Sequence, residues 1–129
     1  MTHRQIDRLN AARASIAQRM GAPCDTAIVL GTGLGHLADM VADPTYIPYQ
    51  EIAGFPVSTA PGHHGRLVIG TLFGRRTVLM QGRVHLYEGW TARDIALAIY
   101  LLSAFGPKQL ILTNAAGGLN PAFEAGSVM

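Results

Sequence analysis

The sequence has 129 residues, of which 49% are hydrophobic and 14% are charged, enough for one modest domain with a sizeable core. Its formal net charge of +2, without a run of Lys or Arg, argues against a nucleic-acid partner or a membrane-surface partner. The single cysteine, Cys24, excludes an internal disulfide. The N-terminus is polar, and no apolar run approaches the roughly 20 residues that span a bilayer. Together these features predict a cytoplasmic protein.

The first third of the chain predicts a helix, a buried strand and a second, short helix. Apolar residues recur at helical spacing over residues 4–20, and Gly21 ends that helix. The apolar run 27–30 predicts a strand that is buried on both faces, as parallel strands are. Residues 36–40 predict a short helix after a turn of alternating glycines.

The middle of the chain predicts an irregular stretch followed by a hairpin. Residues 41–62 carry repeated prolines, which predict irregular backbone with a short strand at 46–47. Residues 61–65 have the composition of a turn. The segments 66–73 and 76–81 flank a glycine turn, which predicts two strands joined as a hairpin.

The last third predicts a helix and a strand, which complete an α/β order. Thr91 and Asp94 form an N-cap pair of the capping-box kind at the start of a helix over 91–105. The nearly continuous apolar residues of this helix predict that most of it is buried. Residues 109–113 predict another apolar strand. The order of elements predicts an α/β fold, with a mixed β-sheet and flanking helices.

A loop of alternating glycines, residues 31–35 (the glycine loop), follows the first strand. Glycine permits the positive φ and the close backbone approach of a tight turn, in which successive N–H groups can converge on an anion. The start of the following helix adds a partial positive charge, and Thr32 adds a hydroxyl. These features predict a phosphate-sized anion site at the end of the first strand, although a ligand-free turn between strand and helix would have the same glycines.

Two common nucleotide-binding motifs fit the glycine loop less well. His36 stands where the dinucleotide-binding pattern Gly-x-Gly-x-x-Gly needs its last glycine. Glu51 lies at about the distance expected of a ribose-binding acid, but prolines intervene where the second strand of that fold should begin. No Gly-Lys-Ser/Thr run follows, which excludes a P-loop. A dinucleotide-binding domain, which predicts NAD binding, is therefore the weaker alternative.

The richest chemistry lies in residues 81–90 (the arginine loop), after the second strand of the hairpin. Arg83 offers a fork of donors suited to an oxyanion, and His85 and Tyr87 follow at period two, so the three side chains can share one side of an extended segment. Tyr87 offers a ring and a hydroxyl to a ligand, and Glu88 can orient a histidine or bind a sugar hydroxyl. A polar surface loop is the plainer alternative, but the density of such side chains favours a ligand site.

Other polar candidates have less support. Residues 114–118 (the alanine loop) are small enough for a ligand to lie against their backbone amides, although close packing of loops predicts the same residues. His36, His63 and His64 are more simply surface residues, because no zinc-type ligand spacing is present. Cys24 is more simply a small buried residue, because no basic neighbour in the sequence would activate it.

Four segments occur in an order and at a spacing that resemble the trimeric purine nucleoside phosphorylases: LGTGLG at 30–35, PGHHGR at 61–66, QGRVHLYEG at 81–89 and TNAAGGLNP at 113–121. The resemblance covers almost the whole chain from Ile28 onward. It implies cleavage of the N-glycosidic bond of inosine, guanosine and their 2′-deoxy forms by inorganic phosphate, giving a purine base and a pentose 1-phosphate. It implies a homotrimer in the full-length form, phosphate as a co-substrate, and no metal or organic cofactor.

The resemblance also implies roles for individual residues at the matching positions. The phosphate-binding residues would be Thr32, His63, Arg83, His85 and Ala115, the last through its backbone N–H. Tyr87 would contact the ribose, and the residues beside the base and sugar would be Ala115, Ala116 and Gly117. The catalytic network on the phosphate side would consist of His85 and Glu88.

The chains of that family are longer than this sequence, and their purine-reading side chains lie beyond the matching part. Residues 1–129 are therefore expected to be the N-terminal part of a single purine nucleoside phosphorylase domain, apparently truncated and inactive alone. This part would carry most of the phosphate site and little of the base site. The alternative from another class is a non-catalytic module that binds phosphate or a nucleotide without cleaving inosine.

Overall fold

The computed structural model describes residues 2–57 and 65–129, and these residues form two α-helices and five β-strands. The helices are α1 (His3–Met20) and α2 (Ala92–Ser103). The strands are β1 (Thr26–Val29), β2 (Ala42–Pro48), β3 (Arg66–Leu72), β4 (Arg75–Gln81) and β5 (Gln109–Leu112). Short 3-10 helices lie at Gly35–Met40, Tyr49–Glu51 and Leu86–Glu88. The residues of the predicted turn at 61–65 lie outside the described part of the chain, apart from Gly65.

The described strands form one mixed sheet in the order β2-β3-β4-β1-β5. β1 is parallel to both of its neighbours, with Ile28 opposite Leu79 of β4 and Ile111 of β5. β3 runs antiparallel to β2 and to β4. The predicted mixed sheet and hairpin are therefore confirmed, and the carboxyl ends of β4, β1 and β5 lie at the same edge.

Buried apolar side chains pack helices against both faces of the sheet. On one face, Ile16 of α1 and Leu101 of α2 belong to a cluster that includes Val78 of β4. On the other face, Ala38 of the first 3-10 helix belongs to a cluster that includes Leu79 of β4. Val78 and Leu79 are adjacent and point to opposite faces because side chains alternate along a strand. Burial of each large aliphatic side chain contributes about 1.5–3 kcal/mol.

β2 is longer than the sequence predicts. The expected short strand at 46–47 is part of a seven-residue strand that pairs with β3, within a stretch expected to be irregular. Pro44 and Pro48 are compatible with this pairing because β2 lies at the edge of the sheet formed by the described strands, where a missing backbone N–H can face away from the partner. A register shift between Ala42 and Thr45 adds a local irregularity at the first proline.

α2 and β5 are more exposed than their apolar composition predicts. α2 buries Leu97, Ala98, Leu101 and Leu102, whereas Tyr100 on its other side is exposed. The three apolar residues of β5 are exposed, and Leu112 has an exposed fraction of 62%. β5 pairs only with β1 among the described strands, so it forms an edge of this sheet. Neither α1 nor α2 is long and apolar enough to cross a membrane.

The predicted cap of α2 is confirmed, and it also ties α2 to α1. The Thr91 hydroxyl accepts from the Asp94 N–H, while Asp94 Oδ2 accepts from the Thr91 N–H at 3.1 Å. Arg8 of α1 donates to Asp94 Oδ1 at 2.7 Å. The hydrogen bonds from Thr91, and then that from Arg8, hold the pKa of Asp94 below its usual value of 3.8.

We expect Asp94→Asn to lower the free energy of unfolding by about 1 kcal/mol at neutral pH, because the cap and the Arg8 ion pair both weaken. The folded pKa of Asp94 is depressed, so its stabilisation is present above pH 3.8 and is lost as pH falls through the folded value. Urea titrations of both chains at neutral and acidic pH should therefore show a smaller difference in acid. Asp7→Asn, at an exposed position of α1, is the control. A difference between Asp94→Asn and the unmutated chain that stays constant with pH would contradict the expectation.

Candidate functional site

Three loops meet at the edge of the sheet where the parallel strands β4, β1 and β5 end. The glycine loop follows β1, the arginine loop begins with the last residue of β4, and the alanine loop lies shortly after β5. In open α/β sheets, ligands collect at the carboxyl ends of the strands. The convergence expected from the sequence is therefore present, and hydrogen bonds connect the glycine loop and the arginine loop to Thr113, the residue before the alanine loop.

Thr113 joins the glycine loop to the start of the alanine loop. Its hydroxyl donates to the Val29 carbonyl at 2.9 Å and accepts from the Gly31 N–H at 2.8 Å. The Thr113 backbone N–H also donates to the Val29 carbonyl. Thr113 was not predicted as a site residue because it ends an apolar strand. The available signal was a hydroxyl residue between that strand and a loop of small residues.

Gly31 is required by the closeness of these two loops. A Cβ atom at Gly31 would lie 2.7 Å from the Thr113 carbonyl oxygen and 2.9 Å from Asn114 Cα. Any larger residue would push the loops apart, because both nearby atoms belong to the backbone. Gly33, further along the loop, has a φ of +87°, as the predicted tight turn requires. Thr32 between them is exposed at this edge.

Arg83 connects the arginine loop to the same junction. Its Nη1 donates to the Thr113 carbonyl at 3.1 Å, and the side chain is half-buried. The guanidinium group therefore lies beside the same carbonyl oxygen that a Cβ atom at Gly31 would approach to 2.7 Å. A guanidinium carries five N–H donors in a planar fork, so one bond to a carbonyl leaves a donor set suited to a phosphate oxygen pair.

His85 and Glu88 form a pair within the arginine loop. Glu88 Oε1 accepts from the His85 backbone N–H at 2.9 Å and lies 3.0 Å from His85 Nδ1. The Glu88 side chain is 3% exposed, whereas that of His85 is 27% exposed. A proton on Nδ1 would be donated to the carboxylate, which would restrict the ring orientation and leave Nε2 as the acceptor of the neutral ring. The Tyr87 ring stacks on the His85 ring at 4.8 Å and is exposed.

Gln81, at the end of β4, supports the glycine loop and is itself held by Arg66, at the start of β3. Gln81 is buried, and its Nε2 donates to the Gly35 carbonyl at 2.8 Å. Arg66 Nε donates to Gln81 Oε1 at 2.7 Å, and the Arg66 guanidinium lies 4.2 Å from the centre of the Tyr46 ring. Neither residue was singled out from the sequence, because their partners are distant along the chain.

The remaining sequence candidates lie elsewhere or outside the described residues. His63 and His64 fall in the segment 58–64, outside the described part. His36 is exposed, with Nδ1 at 3.2 Å from the Gly33 carbonyl. Cys24 is buried before β1, as predicted, and burial raises the pKa of its thiol. Glu51 pairs with Arg19 of α1.

The alanine loop carries little side-chain chemistry. Ala115, Ala116 and Gly117 are exposed and lie in irregular backbone after β5. Apart from the exposed Asn114 amide, backbone N–H groups are therefore the means by which this loop could contact a ligand. Within residues 2–57 and 65–129, no group of three or more His, Cys, Asp or Glu side chains could hold a metal ion.

Comparison with known proteins identifies similar sequences and structures. The phosphorylase superfamily model matches residues 25–129. Purine nucleoside phosphorylase 1 of Bacillus subtilis is 44% identical over 123 residues, which cover 95% of this chain and 45% of that protein. A Schistosoma mansoni purine nucleoside phosphorylase in complex with inosine is 39% identical with a TM-score of 0.82, over 92% of this chain and 41% of that one. A purine nucleoside phosphorylase in complex with ribose 1-phosphate is 42% identical with a TM-score of 0.83, over 92% and 44%. The chain thus spans less than half the length of these proteins.

Proposed function

Because the chain belongs to the phosphorylase superfamily, we propose that it supplies the phosphate-binding side of a purine nucleoside phosphorylase. The reaction is the transfer of a pentosyl group from inosine, guanosine or their 2′-deoxy forms to inorganic phosphate. Its products are a free purine base and ribose 1-phosphate or its deoxy form. The Bacillus relative carries this name, and the solved relatives hold inosine or ribose 1-phosphate, which supports both ends of the reaction.

The observation that carries the proposal is the hydrogen bond from Arg83 to the Thr113 carbonyl, at the meeting point of the three loops. The transition state of this reaction is oxocarbenium-like, so a phosphate anion held close to the anomeric carbon both attacks it and balances its charge. A guanidinium fork, hydroxyls and backbone N–H groups are the donors that such an anion needs. We assign phosphate binding to Thr32, His63, Arg83, His85 and the Ala115 N–H.

The His85–Glu88 pair completes the phosphate side of the proposed site. Glu88, nearly buried, would keep the His85 ring oriented, and with the proton on Nδ1 the Nε2 atom would accept a hydrogen bond from a protonated phosphate oxygen. His85 and Glu88 are therefore our catalytic pair. Tyr87 stacks on that ring and presents its exposed hydroxyl, which suits contact with the ribose. The alanine loop would place Ala116 and Gly117 beside the base and sugar.

We assign no residue of this chain to the purine leaving group. A leaving group that gains negative charge needs a partner that stabilises it in the transition state, and the residues assigned above would contact phosphate, ribose or the purine without taking up that charge. We therefore propose that residues 1–129 are the N-terminal part of a single catalytic domain. Homotrimer formation by the full-length form, a cytoplasmic location and the absence of a cofactor besides co-substrate phosphate are parts of the same proposal.

The test is to purify residues 1–129, measure phosphate binding by calorimetry, and follow hypoxanthine release from inosine with phosphate present. We expect phosphate binding without useful turnover. The measurement is then repeated after adding the part of the Bacillus subtilis relative that lies beyond its match to this chain. Recovered hypoxanthine release would support a catalytic role for this chain.

Other results of these measurements would contradict the proposal or favour one of its alternatives. Ordinary phosphorolysis by the chain alone would contradict the view that leaving-group chemistry lies elsewhere. Absence of phosphate binding would contradict the assigned phosphate site. Phosphate binding with no turnover in any mixture would favour the non-catalytic module. Binding of NAD in a separate calorimetric titration would favour the dinucleotide alternative.

A further inference from the structure

Tyr49 is a buried tyrosine that the proposed chemistry does not use. It begins the 3-10 helix after β2 and has no solvent-exposed surface. Its hydroxyl donates to the Gly82 carbonyl at 2.5 Å and lies 3.5 Å from the Gln81 carbonyl. Burial raises the pKa of Tyr49 well above its usual value of 10.0, so the hydroxyl stays protonated and remains a donor.

Gly82 is the residue at which the arginine loop leaves β4. Its φ of +94° lies in the left-handed region that favours glycine, so the backbone turns sharply here. The Gly82 carbonyl shares a planar peptide group with the Arg83 N–H. A hydrogen bond that fixes this carbonyl therefore fixes the orientation of the peptide plane that contains the Arg83 backbone nitrogen and Cα. The Arg83 side chain is attached to that Cα.

Tyr49 is itself held firmly from several sides. Its ring packs against the Phe55 ring, with centroids 4.8 Å apart. Its backbone N–H donates to the Gly65 carbonyl at 2.8 Å, and a Cβ on Gly65 would lie 3.4 Å from the Tyr49 ring. Gly65 directly precedes β3, which enters the sheet at the same edge as the end of β4. Tyr49 thus connects the entry to β3 with the exit from β4.

We infer that Tyr49 is a positioning residue for phosphate binding: its hydroxyl sets the direction of the Gly82–Arg83 peptide, and through it the placement of Arg83 and His85. This inference rests on the proposed function, because it assigns a purpose to the loop geometry of that site. Tyr49 has no exposed surface, so we assign it no direct contact with substrate. Its effect is to reduce the number of orientations the arginine loop can adopt before phosphate arrives.

The test compares Tyr49→Phe with Ile47→Val in the 129-residue chain. The first variant removes only the hydroxyl, and the second trims one methyl group from the same buried cluster. Amide hydrogen exchange is measured at His85, Glu88 and Gly89, whose N–H groups donate within the arginine loop. Amide exchange in such loops proceeds through local opening, so a loss of global stability changes the exchange rate little.

We expect faster exchange at these amides in Tyr49→Phe and unchanged exchange in Ile47→Val. We also expect Tyr49→Phe to weaken the binding of inorganic phosphate by about three- to tenfold, the range for one ordinary hydrogen bond. Exchange that is the same in both variants would overturn the inference, as would an unchanged phosphate dissociation constant. If the unmutated chain binds no phosphate, the proposed function fails, and the exchange measurement still decides whether Tyr49 orders the loop.

Discussion

Arg83→Ala should weaken the binding of inorganic phosphate by about 10- to 100-fold, the effect expected from losing charge-assisted hydrogen bonds. The loss should exceed that of Thr32→Ala, because one hydroxyl offers a single neutral donor. Arg83 is half-buried beside the Thr113 carbonyl. Its guanidinium is therefore less hydrated than an exposed one, and its attraction for phosphate is screened less by water. Calorimetric titration with phosphate at fixed ionic strength gives the dissociation constants.

The matched control for this change is Arg93→Ala. Arg93 is exposed on the first turn of α2, and its removal alters the net charge by the same amount. Arg93→Ala should leave phosphate binding nearly unchanged, which would distinguish a specific contact at Arg83 from an effect of net charge. Arg83→Lys should recover only part of the affinity, because it keeps the charge and loses the fork. A dissociation constant for Arg83→Ala within about twofold of the unmutated chain would show that Arg83 does not bind phosphate.

Gly31→Ala should destabilise the fold by about 1–3 kcal/mol, the range for inserting a group into a packed site. The added methyl group would lie 2.7 Å from the Thr113 carbonyl oxygen, so β1 and β5 could not keep their spacing at this edge. The hydrogen bond from the Gly31 N–H to the Thr113 hydroxyl should lengthen or break. Urea unfolding curves measure the loss of stability, and phosphate titration should show weaker binding as well.

Gly35→Ala provides a control in the same loop. The nearest atom to its added methyl group would be Gln81 Nε2 at 3.8 Å, an ordinary contact distance. Its φ is also outside the left-handed region, because Gly35 is not among the positive-φ residues. We expect a change in stability of under about 1 kcal/mol, since alanine lowers the entropy of the unfolded chain. Equal unfolding free energies for the two variants would disprove the steric role of Gly31.

Local features of this fold could be predicted from the sequence because they depend on neighbouring residues. The Thr91–Asp94 cap, the β3–β4 hairpin and the order of strands and helices are of this kind. The length of β2 could not be predicted, because its prolines argue against a strand and only pairing with β3 allows one. The exposure of β5 follows from its place in the sheet, and its composition suggests the opposite.

The candidate site divides in the same way. The three loops and the side chains of the arginine loop could be identified from residue type and spacing alone. The residues that hold those loops could not: Thr113 acts on Gly31 and Tyr49 acts on Gly82 across long separations in sequence. Nothing in an apolar strand end or a buried tyrosine reveals its partner before the fold is known.

The hydrogen bond between the Gly31 N–H and the Thr113 hydroxyl also bears on the order in which the chain folds. The two residues are 82 positions apart, so the glycine loop gains its partner only after β5 docks beside β1. Closing a connection of that length has an entropic cost that local contacts do not offset in advance, so we expect this step late in folding. An anion that binds only the closed junction would shift the equilibrium toward docked β5 by mass action. Phosphate in the surroundings would then act on the formation of the site as well as occupy it.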